Sequence, residues 1–446
     1  MGLLVTLASP SLHADATPMA SDIEFSFRRL TPAAQRHIRV FQIHQFLDRF
    51  AMGLTVSVVA LALVDRGMDL FQISLLFAAY SVTALIMELP FGGLADNIGR
   101  KPVFLTAVSA SLISLALFLS SSDFYVLSLS FAFIGFGRAL RSGTLDAWFV
   151  EHFREKAQNV DVQPALAKAQ WANGMGLAFG AIVGGWLPDA FGTVATQFGF
   201  SAYDVAYMAS FAMMTMVLLY TVFTITEEPR PLHPKALWLG FTNVPVVVRN
   251  SGFLALRHPA LSLLLAALGL LLMATNPVEV LWPTHLKPML EGDHANTVIG
   301  MLTAACFFSI AVGASLSPHI NRLFKRRDAV TLSVALVCLA VLQIALALQG
   351  DIVGFACILV LYFVFLGVGE TPASSILHAS VENHQRSTML SLRSLVQQLG
   401  ATIGLIFVGA IAEGYSTPVG WMVGTAFVVS ALLLTVLLAW RLRESG

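Results

Sequence analysis

Charge is what this chain has least of. Only 12% of its 446 residues are Asp, Glu, Lys or Arg, against about 25% in a typical soluble domain. So little charge excludes a disordered or nucleic-acid-binding chain and argues against a soluble enzyme. Cysteine is scarce as well. Cys306, Cys338 and Cys357 each sit inside an apolar run, so they imply no disulfide framework and read as small buried hydrophobes. No Gly-rich nucleotide loop, H-E-x-x-H metal spacing or nucleophile elbow is found. A membrane enzyme and an ATP-driven pump both lack support, and no cofactor is expected. No basic residue precedes the weakly apolar Leu3–Leu12, which argues against a secretory signal. Met19 is a second candidate start.

Apolar residues are abundant, at 57% of the chain or roughly 254 residues. A membrane-spanning helix needs about 20. Apolar runs are read at 40–64, 71–95, 102–121, 124–150, 165–187, 203–225, 260–284, 296–320, 329–348, 352–377, 389–412 and 418–440. Strands of a membrane barrel would alternate with period two instead. The expected fold is all-α, with twelve transmembrane helices. Residues 1–39 form an N-terminal segment, 40–226 a first six-helix bundle, 227–259 a linker and 260–446 a second bundle. The linker holds Pro229, Pro231, Pro234 and Pro245, which rules out one long helix. Its Leu237–Leu256 section is expected to lie at the membrane surface.

Basic residues set the expected orientation. With both termini in the cytoplasm, 20 Lys and Arg fall on that side and only Arg66 and Lys287 on the other. Arg49, Arg138, Arg141 and Arg393 fall inside runs. A miscount of one span would scramble this asymmetry.

The halves also repeat. Gly92-Gly93-Leu94-Ala95-Asp96-Asn97-Ile98-Gly99-Arg100-Lys101, between runs 2 and 3, aligns at offset 225 with the segment from Ser317 to Arg326. Asp96 falls on Asn321, and Arg100-Lys101 on Lys325-Arg326. Gly176-x-x-x-Gly180 running to Gly184-Gly185 in run 5 aligns at offset 224 with Gly400-x-x-x-Gly404 running to Gly409 in run 11. The same offset lays Gly143 and Asp146 on Gly367 and Glu370. Duplicated halves are one of the transporter architectures.

On these residues the chain resembles the major facilitator superfamily over residues 40–441. Gly92, Leu94, Asp96, Gly99, Arg100 and Lys101 match its loop 2–3 signature. Gly176, Gly180, Gly184 and Gly185 match the fifth-helix signature of its proton-antiporting exporters, with Ala181 in place of the proline. Arg138 or Arg141 supplies the arginine of its fourth-helix signature, with Gly143 out of register. The resemblance implies a proton-coupled drug or metabolite exporter with a small amphiphilic substrate. It also implies that Asp96 pairs with cationic groups and helix ends to latch the outward-facing state. The acid and glycine of the second copy are lost to Asn321 and Phe324, so the latch is expected to be asymmetric.

Charges inside the bilayer are costly and mark pathways. His44 and Asp48 share a helix face; Arg49 is adjacent but points about 100° away, and Asp48 with Arg49 also reads as a static ion pair. Glu88 precedes Pro90. Arg138, Ser142 and Asp146 are read as one i, i+4, i+8 stripe, with Arg141 beside it. Glu370 precedes Pro372, an expected helix break, and Arg393, Gln397 and Gln398 lie on run 11. Burial raises a carboxylate pKa and a neighbouring arginine lowers it, so competition tunes the group. Asp48, Glu88, Asp146 and Glu370 are the candidate proton carriers, with His44, Arg49, Arg138, Arg141 and Arg393 as charge partners. Phe46, Phe50, Trp148, Gln170, Trp171, Asn173, Asn276, Trp282, Tyr362, Gln397 and Gln398 are the candidate cavity lining.

The expected partners are a small-molecule substrate, protons and membrane lipid, with no nucleic acid, on a monomer in the cytoplasmic membrane. The alternatives are a proton-coupled uptake symporter or facilitator, and a lysophospholipid-type flippase of the same fold.

Overall fold

A computed structural model describes residues 27, 30–91, 94–157, 160–227, 252–253, 257–290, 292–382 and 386–444. Among these are twelve spans long and apolar enough to cross a membrane. Spans 1–6 are Pro32–Asp65, Leu70–Glu88, Arg100–Ser120, Phe124–Lys156, Gln163–Gln197 and Asp204–Thr224. Spans 7–12 are Pro259–Met289, Ala295–Leu323, Asp328–Leu348, Ile352–Ala379, Thr388–Gly414 and Thr417–Arg443. The described residues contain no strand. Apart from Gly252 and Phe253, the Leu237–Leu256 surface helix expected in the linker lies outside the described residues.

Short polar side chains start several spans by taking up free N–H groups. Thr31 Oγ1 accepts from Ala34 N at 3.2 Å. Asp123 Oδ1 accepts from Tyr125 N and Val126 N at 2.9 and 3.1 Å. Asp351 Oδ2 accepts from Gly354 N at 2.8 Å.

Two expectations about helix continuity are corrected. Span 10 runs unbroken through Pro372, because packed membrane helices tolerate proline where neighbours satisfy the freed carbonyl. Span 4 does break, and at a glycine. Its helices are Phe124–Arg141 and Thr144–Lys156, with Gly143 between them at φ 68°. Arg138, Ser142 and Asp146 therefore do not form one continuous helical stripe.

Glycine stripes bring spans together in matched pairs. A methyl group at Gly176, Gly180 or Gly184 of span 5 would stand 2.3, 2.4 or 2.1 Å from the carbonyl oxygens of Phe46, Phe50 and Leu54 on span 1. In the second half, Gly400 and Gly404 of span 11 meet the carbonyls of Gly269 and Met273 on span 7 at 2.2 and 2.1 Å. Span 4 meets span 2 at Gly135 and Tyr80 O (2.4 Å), as span 10 meets span 8 at Gly367 and Ile310 O (2.1 Å). Only a missing side chain permits such approach. Each half is a bundle of six spans with its own apolar core, one around Phe41, Phe149 and Phe153, the other around Phe355, Tyr362 and Trp421.

The halves meet along two seams, span 5 on span 8 and span 2 on span 11. Gly185 turns away from span 1 toward the other half, where its Cβ would stand 2.4 Å from Asn296 O and 2.8 Å from Gly300 Cα. Leu177, Ala181, Ala304 and Phe307 continue this seam as a small apolar cluster.

Candidate functional site

Four spans of the first half converge on one buried ion pair. Asp48 of span 1 is 4% exposed, and its Oδ1 lies 3.3 Å from Arg141 Nη2 on span 4. Arg141 also donates to Ser111 Oγ on span 3 at 2.9 Å and reaches Met214 Sδ on span 6 at 3.4 Å. His44 Nε2 lies 2.9 Å from Thr221 Oγ1 on span 6, and its ring meets Phe104 edge-on at 4.8 Å. The partner of Asp48 is thus Arg141, and Arg49 donates no hydrogen bond to it. Adjacent residues on a helix point about 100° apart, whereas Arg141 ends the first helix of span 4 and reaches Asp48 from there. Arg49 Nη1 reaches only Met52 Sδ at 4.0 Å, yet its charge acts on Asp48, Arg141 and Asp146.

A second polar cluster lies beside it. Gln45 Nε2 donates to Asp146 Oδ1 at 3.2 Å, and Asn173 Nδ2 donates to Gln45 Oε1 at 3.3 Å. Spans 1, 4 and 5 meet there, with the break at Gly143 setting the direction of Asp146. Asp146 is exposed, an environment that is affordable within a span only where water reaches it. Arg138 belongs elsewhere: its Nη1 donates to Tyr80 OH on span 2 at 3.2 Å.

Glu370 and Arg393 pair across spans 10 and 11 at 2.5 Å, with Ser374 bonded to both. Glu88 crosses between the halves. Its oxygens accept from Ser394 Oγ at 3.1 Å and from Gln398 Nε2 at 2.6 Å, both on span 11. Gln397 and Gln398 are buried at 4% and 5% exposure.

The candidate cavity lining divides. Phe46 and Phe50 stack at 5.9 Å and are half-buried. Gln170 is half-buried, Asn173 is buried, and Trp171 is 70% exposed. Four others sit inside the bundle cores. Trp148 is buried against His37, and its Nε1 donates to Thr226 O at 3.1 Å. Trp282 is buried in the second core, where Tyr362 donates to Gln343 Oε1 at 3.1 Å. Asn276 is fully buried and donates to Glu279 Oε2 at 3.3 Å. Residue type does not reveal which helix face is inward, and in these cases the neighbouring spans decide it.

At loop 2–3, Gly99 takes φ 99°, which favours glycine. Arg100 Nη1 donates to Glu151 Oε2 at 2.5 Å. The Glu227 carboxylate accepts from the backbone N of Arg100 and Lys101 at 2.9 and 2.8 Å, and Lys101 Nζ donates to Val222 O at 2.8 Å. These contacts tie the loop to the ends of spans 4 and 6. Gly92 and the side chain of Asp96 lie outside the described residues. In the second copy Asn321 donates to Asp328 Oδ1 at 2.6 Å and accepts from Thr331 at 2.8 Å. There the left-handed turn falls on Lys325 and Arg326 (φ 57° and 58°), a conformation costing roughly 1–2 kcal/mol per residue without glycine.

The sequence profile of the Major Facilitator Superfamily matches residues 43–289 and 284–445. The chain belongs to the Major Facilitator Superfamily. It is an integral, multi-pass membrane transporter of that superfamily. Its sequence is 22% identical to the quinolone resistance protein NorA of Staphylococcus aureus (strain MRSA252) over 407 residues, covering 90% of this chain and 96% of NorA. Its fold is similar to that of the nucleoside transporter NupG, with TM-score 0.72, 15% identity, and coverage of 90% of this chain and 98% of NupG. It is also similar to a bacterial homologue of the human lysosomal transporter Spinster in an inward-facing, unoccupied conformation (TM-score 0.69, 14% identity, 92% and 96% covered). A third similar structure is that of PepTSo2 (TM-score 0.68, 14% identity, 93% and 99% covered).

Reasoning from sequence missed Gln45, Ser394 and Ser374, which bond to the candidate carboxylates. Uncharged polar residues are common in membrane helices, and no spacing sets these three apart.

Proposed function

We propose that this transporter exports a small amphiphilic compound across the cytoplasmic membrane in exchange for protons, with both termini in the cytoplasm. The observation that carries the reading is the group of Asp48, Asp146, Arg49 and Arg141 inside the first bundle. Two carboxylates and two guanidinium groups there leave neither sign unopposed, so one added proton changes which pairs hold. Asp48 exchanges the coupling proton against Arg141, and Asp146 faces the water-accessible hollow with Gln45 and Asn173. Glu88 and Glu370 are the secondary carriers. Phe46, Phe50, Gln170, Trp171 and Asn173 line the substrate path from the first half, and Gln397 and Gln398 from the second. Loop 2–3, with Gly92, Asp96, Gly99, Arg100 and Lys101, latches the outward-facing state. The stripe of Gly176, Gly180 and Gly184 fixes span 5 to span 1 as a rigid unit. The protein acts as a monomer.

The test uses proteoliposomes loaded with a fluorescent quinolone, a probe chosen from the resemblance to NorA, and a trapped pH indicator. Export down the imposed gradient should acidify the lumen as protons enter. Proton movement in the same direction as the quinolone overturns antiport. A second reading, proton-coupled uptake, draws on Ala181. It stands where the exporters' signature has proline, and its carbonyl accepts from Ser57 Oγ at 3.0 Å. In that reading the same experiment gives co-directional movement.

A further inference from the structure

No sequence motif marks Asp189 or Glu413, yet each carboxylate reaches from one half of the transporter to the other. Asp189 lies on span 5, one turn beyond Gly185. Its Oδ1 accepts from Asn296 Nδ2 at 2.7 Å, and its Oδ2 accepts from Thr297 N at 2.7 Å and Thr297 Oγ1 at 2.6 Å. Asn296 and Thr297 open span 8. Asn296 Oδ1 in turn accepts from Lys287 Nζ at 2.7 Å and from Tyr203 OH at 3.2 Å. A first-half carboxylate therefore caps the start of a second-half helix, where free N–H groups and the positive end of the helix dipole collect.

The other seam carries the same arrangement with the halves exchanged. Gly409 of span 11 lies against span 2, where a methyl would stand 2.1 Å from Ser74 Oγ. One turn on, Glu413 Oε2 accepts from Leu70 N at 2.9 Å, the first residue of span 2. Gly185 and Gly409 are 224 residues apart, as are Asp189 and Glu413. That is the offset of the repeat. In each copy a glycine lets the helix approach the opposite half, and an acid four residues later caps that half's helix.

We infer that Asp189 and Glu413 are a duplicated latch that holds the halves together on the face opposite the termini, and that Asp189 is its stronger arm. Alternating access requires both seams to part on this face. When they part, two helix starts lose their caps and two carboxylates lose their donors. Contacts made in one state only are what bias an equilibrium between two states. The arms are unequal because Asp189 accepts three hydrogen bonds and is half-buried, whereas Glu413 accepts one and is exposed. Lys287, one of only two cations expected on this face, backs the Asp189 arm through Asn296. The inference needs only the transporter fold. It does not depend on the substrate or the coupling ion.

The test is electron–electron resonance distance measurement on the full chain with its three cysteines replaced by alanine. One spin-label pair at Phe198 and Asp293 reports the seam of spans 5 and 8. Another at Val64, at the end of span 1, and Tyr415, just after span 11, reports the opening between the halves beside the seam of spans 2 and 11. Asp189→Asn should raise the long-distance fraction about tenfold, since hydrogen bonds to a charged group are being weakened. Glu413→Gln should raise it roughly twofold, the effect of one exposed charge at a helix start. Thr297→Val keeps the carboxylate but removes one donor, and should raise the fraction about threefold. If Asp189→Asn does not fold, Thr297→Val carries the test alone. Parent-like distances at both seams in the folded variants overturn the latch. A larger effect from Glu413→Gln than from Asp189→Asn overturns the ranking of its arms.

Discussion

Removing one member of the Asp48–Arg141 pair should cost more from one side than from the other. The side chains of Asp48 and Arg141 are 6% and 12% exposed, so solvent screens the pair little. Breaking a buried pair by deleting one partner costs roughly 3–5 kcal/mol, because the remaining charge is left uncompensated. Here Arg49 changes the balance. In Arg141→Gln, Asp48 keeps Arg49 within electrostatic range, so the loss should fall near about 3 kcal/mol. In Asp48→Asn, the half-buried Arg49 and Arg141 face each other with only the exposed Asp146 left to oppose Arg49. The loss should then approach about 5 kcal/mol. The double variant Asp48→Asn/Arg141→Gln removes both charges and should recover most of the loss, to within about 1–2 kcal/mol of the parent. Unfolding in mixed micelles by denaturant, read by tryptophan fluorescence, measures the three values. Quinolone-driven proton movement in proteoliposomes then separates structure from coupling. The double variant should be stable yet show no proton movement. Equal losses in the two single variants would refute the role given to Arg49. Parent-like coupling in the double variant would remove Asp48 from the proton path.

Three further outcomes are expected. Asp146→Asn should express normally and lose the pH dependence of transport, whereas Gln45→Ala removes one hydrogen bond to the Asp146 carboxylate and should shift the pH dependence without abolishing it, by an equilibrium change of about tenfold or more; initial rates across pH distinguish the two. Gly184→Ala places a methyl 2.1 Å from Leu54 O and should destabilise by about 1–3 kcal/mol through overpacking, while Gly174→Ala, with open space around it, should be neutral in the same denaturant assay. Glu88→Gln should keep the bond from Ser394 but weaken its contact with Gln398, loosening the seam of spans 2 and 11 and speeding exchange between states; labelling kinetics of a cysteine placed at the half-buried Leu85 report this.

Class and frame were legible in the order of residues alone. Scarce charge and long apolar runs leave helices as the only way to satisfy the backbone in lipid. The spacing of Gly176, Gly180 and Gly184 was readable as a close-packing stripe, because the absence of a side chain has one main use at that spacing. The 224-residue offset announced two related bundles and laid Gly400 and Gly404 on Gly176 and Gly180, though it did not tell which span they would meet. Which polar groups meet depends on how the helices pack. Asp48 had an arginine beside it in sequence and took a different one in space, because Arg49 points about 100° away on the same helix while Arg141 comes in from span 4. Trp148, Trp282, Tyr362 and Asn276 had the composition of a binding site and the environment of a core. Asp189 and Glu413 bear no motif, since a helix cap needs only a carboxylate and the start of some other helix. Which helix begins there depends on how the two halves dock, and that is a property of the assembled fold.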